Sequence, residues 1–327
     1  MNDDINSYLV TVPSKTFLSG EYGALLDGPA LLINSQPRFQ IRFDHFEDKQ
    51  AFINPIDNEK NPLFAYCAEN EEFLFDFDVH FDDPYGGAGG FGASSAQWAA
   101  LYAFINQFQN PFKSLFDKTQ NNYDFLKNLD FSFIESFIKK YRSYTKEKYP
   151  PSGYDVISQW IGKIAYIDIK RKILKRMDWP FDDIGFVLAK SPDKVATHEH
   201  LKHIGAIPAL EIETVVHNIQ KSLEEKNSNQ FVNWVQKNYE LFLKTGFVER
   251  QAQSRIEALR KMDGVLAVKG CGALGADVFF MVIDMKKWNE FSSNAKILQL
   301  PVVATHRTLS YGFEVHTNFK SAEAQLH

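Results

Sequence analysis

Cysteine is almost missing from this chain, with two in 327 residues, Cys67 and Cys271, far apart in sequence. That scarcity argues against a disulfide framework and suits a reducing cytoplasm. Cys271 lies among glycines, where it reads either as a reactive thiol or as a small buried filler. No apolar run approaches the roughly 18 residues that span a bilayer. The opening segment, MNDDINSYLV, lacks the basic and apolar blocks of a secretory signal. An excess of positive charge is also absent: 36 Lys and Arg face 41 Asp and Glu, net −5, so a nucleic-acid partner is not expected. No internal repeat is evident. The expectation is a soluble, cytoplasmic, globular protein, long enough for two domains and a substantial core. The 29 scattered phenylalanines read as part of that core.

What is present is glycine in one place. Residues 85–97 read YGGAGGFGASSAQ, with Gly86, Gly87, Gly89, Gly90 and Gly92 in seven positions. Without a Cβ, such a backbone approaches a ligand closely and adopts positive φ. Ser94 or Ser95 can cap the apolar helix read over 96–108, whose first N–H groups then face outward. A loop of this kind at a helix N-terminus attracts phosphate. It is not a P-loop, because no Lys follows the glycines. Gly87, Gly89 and Gly92 satisfy G-x-G-x-x-G, but about 80 residues precede them and no acid stands 20 positions on, so a dinucleotide fold fits poorly. A plain surface loop is the competing reading.

Along the chain, residues 7–12, 40–46 and 72–81 read as strands, and 122–145 as a helix ending in the basic run KKYRSYTKEK. Pro150-Pro151-Ser152-Gly153 breaks that helix, and an amphipathic segment begins near Asp155. Asp178–Asp183 is the best boundary, predicting domains over 1–180 and 181–327. The second half opens on a strand over 184–190. Helical segments are predicted over 194–225 and 228–262, a strand pair over 265–284, and short strands near PVVATH and GFEVH. This order favours an α+β fold over a doubly wound sheet.

Four pieces together resemble the GHMP kinases (galactokinase, homoserine kinase, mevalonate kinase, phosphomevalonate kinase). Pro13-Ser14-Lys15 with Gly20-Glu21-Tyr22 is similar to their first motif, and the glycine loop to their second, the ATP phosphate loop. Pro151-Ser152-Gly153-Tyr154-Asp155 resembles the segment holding their catalytic aspartate. Lys269–Asp277, KGCGALGAD, resembles their third, C-terminal glycine motif. The pieces stand in family order across nearly the whole chain. Gly20-Glu21-Tyr22 and Gly272–Asp277 lean toward phosphomevalonate kinases, as does the stretch Lys190-Ser191-Pro192…Ala196-Thr197. Departures are Ser14 for Gly, Ala93 with an extra residue before the serines, and Leu274 and Ala276 for glycines. Tyr144 stands where the kinases often carry a Mg²⁺-binding Glu, and Glu147 is the nearest acid.

The resemblance implies a two-domain α+β fold: a ribosomal protein S5 domain 2-like N-terminal domain and a ferredoxin-like C-terminal domain. It implies ATP and Mg²⁺ and a small-molecule acceptor of the phosphomevalonate or mevalonate kind; a homodimer is a possible further partner, and the sequence leaves the oligomeric state open. The catalytic residues would be Asp155 and Lys15. ATP would lie on Gly87, Gly89, Gly90, Gly92, Ala93, Ser94 and Ser95. Acceptor-side residues would be Glu21, Tyr22, Ser152, Gly153, Lys190, Thr197, Gly272 and Ala273. Ser95, or Ser94 if the alignment slips by one, and Glu147 would serve the metal.

Each residue also has a plainer reading. Asp155 could cap the helix that follows it. Lys15 could be a solvated turn lysine, Glu21 a structural partner of backbone, and 269–277 a tight turn. Lys190, Lys194 and His198 read either as phosphate-binding charges or as a solvated face. His200 and His203 would need further ligands to hold zinc. A non-catalytic homologue that binds ligands is the alternative of a different class, and a kinase for homoserine or a sugar the alternative within the family.

Overall fold

The computed structural model describes residues 7–46, 51–57, 59, 61–106, 131–144, 150–191 and 207–317. Two antiparallel sheets carry it, so the α+β class read from the sequence is what the molecule has.

The first sheet is built on two long strands, β1 (Ser7–Ser19) and β2 (Ala30–His45). Both are rich in β-branched and aromatic residues, which pack well on a pleated surface. β1 runs well beyond the predicted 7–12, taking in Lys15. Its pairing with β2 is interrupted after Pro13: Pro13 faces Arg38 and Ser14 faces Ser35, so Gln36 and Pro37 are looped out. Proline lacks the N–H that an unbroken ladder would need.

The chain then forms α1 (Pro62–Glu69), α2 (Glu71–Leu74) and β3 (Phe77–Asp82), which pairs with β2. The strand read over 72–81 therefore begins helical, because Asn70 and the acidic pair Glu71-Glu72 favour a helix start. α3 (Ala93–Asn106) follows the glycine loop and is buried nearly all round. Trp98 is 1% exposed, and the Phe104 ring stacks on Phe43 of β2 at 3.7 Å. Burying one such ring contributes about 2–3 kcal/mol. α4 (Phe131–Ser143) and α5 (Tyr154–Ile161) lie either side of the proline break. The amphipathic segment from Asp155 is helix and then strand. Gly162, at φ +81, ends α5, and the β-branched run beyond it forms β4 (Ile164–Asp168), followed by β5 (Ile173–Met177). The sheet order is β10-β1-β2-β4-β5, with β3 beside β2.

Asp178–Asp183 carries the chain to the second sheet. Here β6 (Ile184–Lys190), α6 (Ala209–Glu224), α7 (Ser228–Lys244), α8 (Arg250–Leu259), β7 (Val265–Cys271), β8 (Val278–Asp284), α9 (Trp288–Ile297) and β9 (Val302–Thr305) follow in turn. The order β7-β8-β6-β9 and the β-α-β-β-α-β succession are ferredoxin-like. The helix read over 228–262 is divided at Gly246, φ +77, where the Phe247 N–H returns to the Phe242 carbonyl.

The last strand, β10 (Glu314–Thr317), leaves the second sheet and pairs with β1. Arg38 holds this return. Its guanidinium donates to Ser310 Oγ and to the carbonyls of Tyr311 and Gly312, and to Thr11 on β1. One apolar cluster runs from Val10 and Phe43 through Trp98 and Tyr154 to Phe186 and Phe280, joining both sheets.

Candidate active site

Lys15 is not a solvated turn residue. It sits within β1, 9% exposed, and its N–H donates to the Phe91 carbonyl of the glycine loop at 2.8 Å. Its ammonium lies 3.0 Å from Asp155 Oδ2 and 5.3 Å from the centre of the Phe17 ring. Nor is Asp155 the cap of its helix. Gly153, at φ +81, holds the cap position, and Asp155 lies in the first turn with its carboxylate turned to Lys15. A carboxylate there is also favoured by the helix dipole. Ser152 Oγ accepts from the Tyr154 N–H, and Arg142 reaches the carbonyls of Pro151 and Ser152 while pairing with Asp27 at 2.7 Å. Residues 140 positions apart in sequence are thus joined at one ion pair.

Gln159, fully buried one turn beyond Asp155, supplies a tie that sequence reading missed. Its side-chain amide donates to the carbonyls of Pro13 and Gly92 at 2.9 and 3.3 Å. It holds β1, the glycine loop and α5 together. Its only sequence signal is a polar residue inside the apolar run VISQWI.

The glycines of the loop serve different neighbours. Asp83 anchors the base, accepting from the N–H groups of Tyr85 and Gly87 at 2.8 and 2.7 Å, while the Tyr85 and Phe91 rings stack at 4.3 Å. A Cβ on Gly86 or Gly87 would meet nothing within 4 Å, so open space lies beside that backbone. On Gly89 it would come within 2.7 Å of Asp277 Oδ1, and on Gly90 within 2.8 Å of Asp277 Cβ. On Gly92 it would strike Lys15 Cγ at 2.7 Å. The helix starts at Ala93, three residues before the predicted start. Ser94 and Ser95 therefore fall in its first turn and do not cap it. Ser95 is buried and donates to the Gly92 carbonyl at 3.0 Å, whereas Ser94 is exposed. Lys190, at the end of β6, brings its ammonium 3.5 Å from the Tyr85 carbonyl.

The third glycine segment meets the first motif. Lys269 is completely buried and donates to Glu21 Oε1 at 2.5 Å and to the Leu18 carbonyl at 2.9 Å. Burial opposes its charge, but neighbouring Cys271 and the Glu21 carboxylate outweigh that and leave its pKa raised. Burial pushes the Cys271 thiol up to about 11, so it is a neutral filler at pH 7. The Tyr22 hydroxyl accepts from the Leu274 N–H at 3.3 Å, and the Tyr22 ring packs on Phe242 and Phe247. Glu21 and Tyr22 are in this way engaged with protein partners. Gly272, at φ +84, faces the Asp277 carboxylate, and Leu274 adopts φ +51 in place of a glycine. Ala273 lies in the short turn beside them.

Thr197, Glu147, Lys194, His198, His200 and His203 lie outside the described residues. Tyr144 is placed: its hydroxyl donates to Glu69 Oε2 at 2.5 Å, which also takes Lys140. Among the described residues, no group of three or more His, Cys, Asp or Glu could hold a metal ion. Mg²⁺ keeps several waters and needs only one or two protein oxygens. The Ser94 and Ser95 hydroxyls and the Asp155 carboxylate are oxygens of that kind near the loop. A triphosphate suits the open backbone at Gly86–Gly87, the first turn of α3 and the Lys15 ammonium. Among the described residues, no helix is long and apolar enough to cross a membrane.

No known family model matches this chain, and no curated protein matches it in sequence. Solved structures do. The Lin0012 protein of Listeria innocua superposes with a TM-score of 0.69 at 13% identity, covering 96% of this chain and all of that one. The phosphomevalonate kinase of Streptococcus pneumoniae gives 0.63 at 12% identity, covering 92% and 99%. The galactokinase of Lactococcus lactis, in complex with galactose, gives 0.63 at 10% identity, covering 96% and 95%. The chain shares the two-domain fold of these kinases over more than nine-tenths of its length.

Proposed function

We propose that this chain is an ATP-dependent small-molecule kinase of the GHMP family, with phosphomevalonate or mevalonate as its acceptor. The observation that carries the reading is the Lys15–Asp155 pair, 3.0 Å apart and tied to the glycine loop through Phe91 and Gly92.

Phosphoryl transfer asks a protein for positioning and charge neutralisation more than for covalent chemistry. Backbone N–H groups of the loop and the first turn of α3 would bind the ATP β- and γ-phosphates. Mg²⁺, when bound, neutralises phosphate charge, with Ser95 or Ser94 as its protein ligand. The acceptor oxygen attacks the γ-phosphorus as the bond to the β-phosphate oxygen breaks, and ADP leaves. For an alcohol acceptor, Asp155 takes the hydroxyl proton. A phosphate acceptor is largely ionised at pH 7, and Asp155 then orients it. Lys15, already beside Asp155, stabilises charge that develops on the transferring group. Lys190, Gly272, Ser152 and Gly153 would serve the acceptor side, as the family resemblance implies.

The fold does not choose the acceptor, since phosphomevalonate kinase and galactokinase superpose equally well. The choice rests on Gly20-Glu21-Tyr22 and Gly272–Asp277. The Tyr144–Glu69 contact favours a second reading, a non-catalytic member that binds nucleotide, because no carboxylate occupies position 144. Release of ADP, followed by a coupled assay over mevalonate, phosphomevalonate, homoserine and galactose, separates the two. Turnover with one of the first two is expected. ATP binding without turnover on any acceptor supports the second reading, and no ATP binding overturns both.

A further inference from the structure

Two glycines from separate motifs, Gly89 and Gly272, make room for one carboxylate, and Gly90 lies against the same residue's Cβ. Asp277 is 8% exposed. A Cβ would come 2.7 Å from its Oδ1 at Gly89, 2.8 Å from its Cβ at Gly90 and 2.2 Å from its Oδ2 at Gly272. The space that glycine leaves is filled by Asp277 at Gly89 and Gly272, and by Asp277 with Val278 Cγ2, 2.7 Å away, at Gly90. Only Gly86 and Gly87 in the loop open onto empty space. The main chain of Asp277 is fixed from the second sheet, its N–H donating to the Cys271 carbonyl and its carbonyl accepting from Ser191. The same turn is tied to the first motif through the Leu274 N–H and the Tyr22 hydroxyl. A buried carboxylate needs donors or charges about it, and the backbones of Gly89 and Gly272 lie directly against this one.

We infer that Asp277 is a positioning residue that clasps the Gly89–Gly90 backbone to the Gly272 turn. It fixes the shape of the nucleotide loop from the second sheet. The inference rests on reading that loop as the nucleotide site, but the clasp itself has a readout that needs no nucleotide. Without the clasp, the Gly89–Gly90 backbone is free to move while Lys15 and Asp155 stay paired, so nucleotide affinity suffers more than the chemical step.

The test compares Asp277→Ala and Asp277→Asn with the wild type, by amide hydrogen exchange of the nucleotide-free full chain and by ATP titration. Exchange of the 86–92 amides in Asp277→Ala is expected to rise at least about tenfold, the scale of one lost hydrogen bond to a charged group. Protection in β6 and β8 is expected to persist. ATP affinity is expected to weaken by a similar factor with a smaller change in kcat, and Asp277→Asn, which keeps an acceptor oxygen, to recover part of both. Should Asp277→Ala not fold, Gly89→Ala, which drives a methyl group against Oδ1, is expected to give the same loop signature. Wild-type exchange in 86–92 for a folded Asp277→Ala overturns the clasp. A wild type that binds no ATP overturns the nucleotide reading instead, and loop exchange then decides the clasp alone.

Discussion

Lys269 carries a charge shielded from solvent, balanced by Glu21 and the Leu18 carbonyl. Removing one partner of such a pair leaves the other charge buried and unpaired. Lys269→Met is therefore expected to lose about 3–5 kcal/mol of stability, read as a lowered urea midpoint. Lys269→Met with Glu21→Gln should recover part of it. Under the proposed reaction, a substitution at Asp155 tells the two acceptor classes apart. With an alcohol acceptor, Asp155→Asn should cut kcat by about 10²–10⁴, the range of general-base catalysis. With a phosphate acceptor the loss should be far smaller, and steady-state kinetics on both settles which holds. The thiols give a pH effect. Burial pushes Cys271 up to about 11 and Cys67 up to about 12, above the ordinary value of 9.0. Folded thiols keep their protons where unfolded ones lose them, so their contribution is full below pH 9 and is lost as pH rises through 11–12. Denaturant melts should show stability falling from about pH 9 upward, and both cysteines should resist thiol reagents at pH 8 until the chain unfolds.

At the scale of elements, the glycine loop and α3 act as one unit set against β1. Gly92→Ala would place a methyl group 2.7 Å from Lys15 Cγ and 2.8 Å from Ser95 Oγ, at φ +87. The strained backbone should cost about 1–3 kcal/mol, and the displaced lysine should lower turnover at least about 10²-fold. Thermal melts and kinetics on one preparation check both. The loop and its buried helix were legible in the sequence, because five glycines in seven positions and a run apolar all round are local signals. The start of the helix was not. Ala93 joins it because Lys15 and Phe91 hold the preceding turn, and those contacts are remote in sequence. For the same reason the roles of Asp277 and Gln159 stayed hidden: a residue's neighbours across a cleft leave no periodicity to read. The division of 228–262 at Gly246 had a visible glycine, but helical patterning on both sides masked it.

The whole molecule closes on itself when β10 returns to β1, held by Arg38. Loss of these buried charge-assisted bonds in Arg38→Ala should cost about 3 kcal/mol or more. Amide exchange should quicken in 314–317 before the second sheet loosens. The α+β layering was legible from the order of strand and helix patterns, but this return was not, since GFEVH reads like any short terminal strand. The central claim is that the first sheet and the helices on it bring Lys15, Asp155 and the glycine loop together as a nucleotide site. Equilibrium titration of the full chain with ATP and Mg²⁺ tests it most directly. Saturable binding with a Kd between about 1 μM and 1 mM, the usual range for enzyme substrates, is expected for the wild type, weakened at least about tenfold in Lys15→Met. No saturation by the wild type at ATP concentrations well above that range would contradict it.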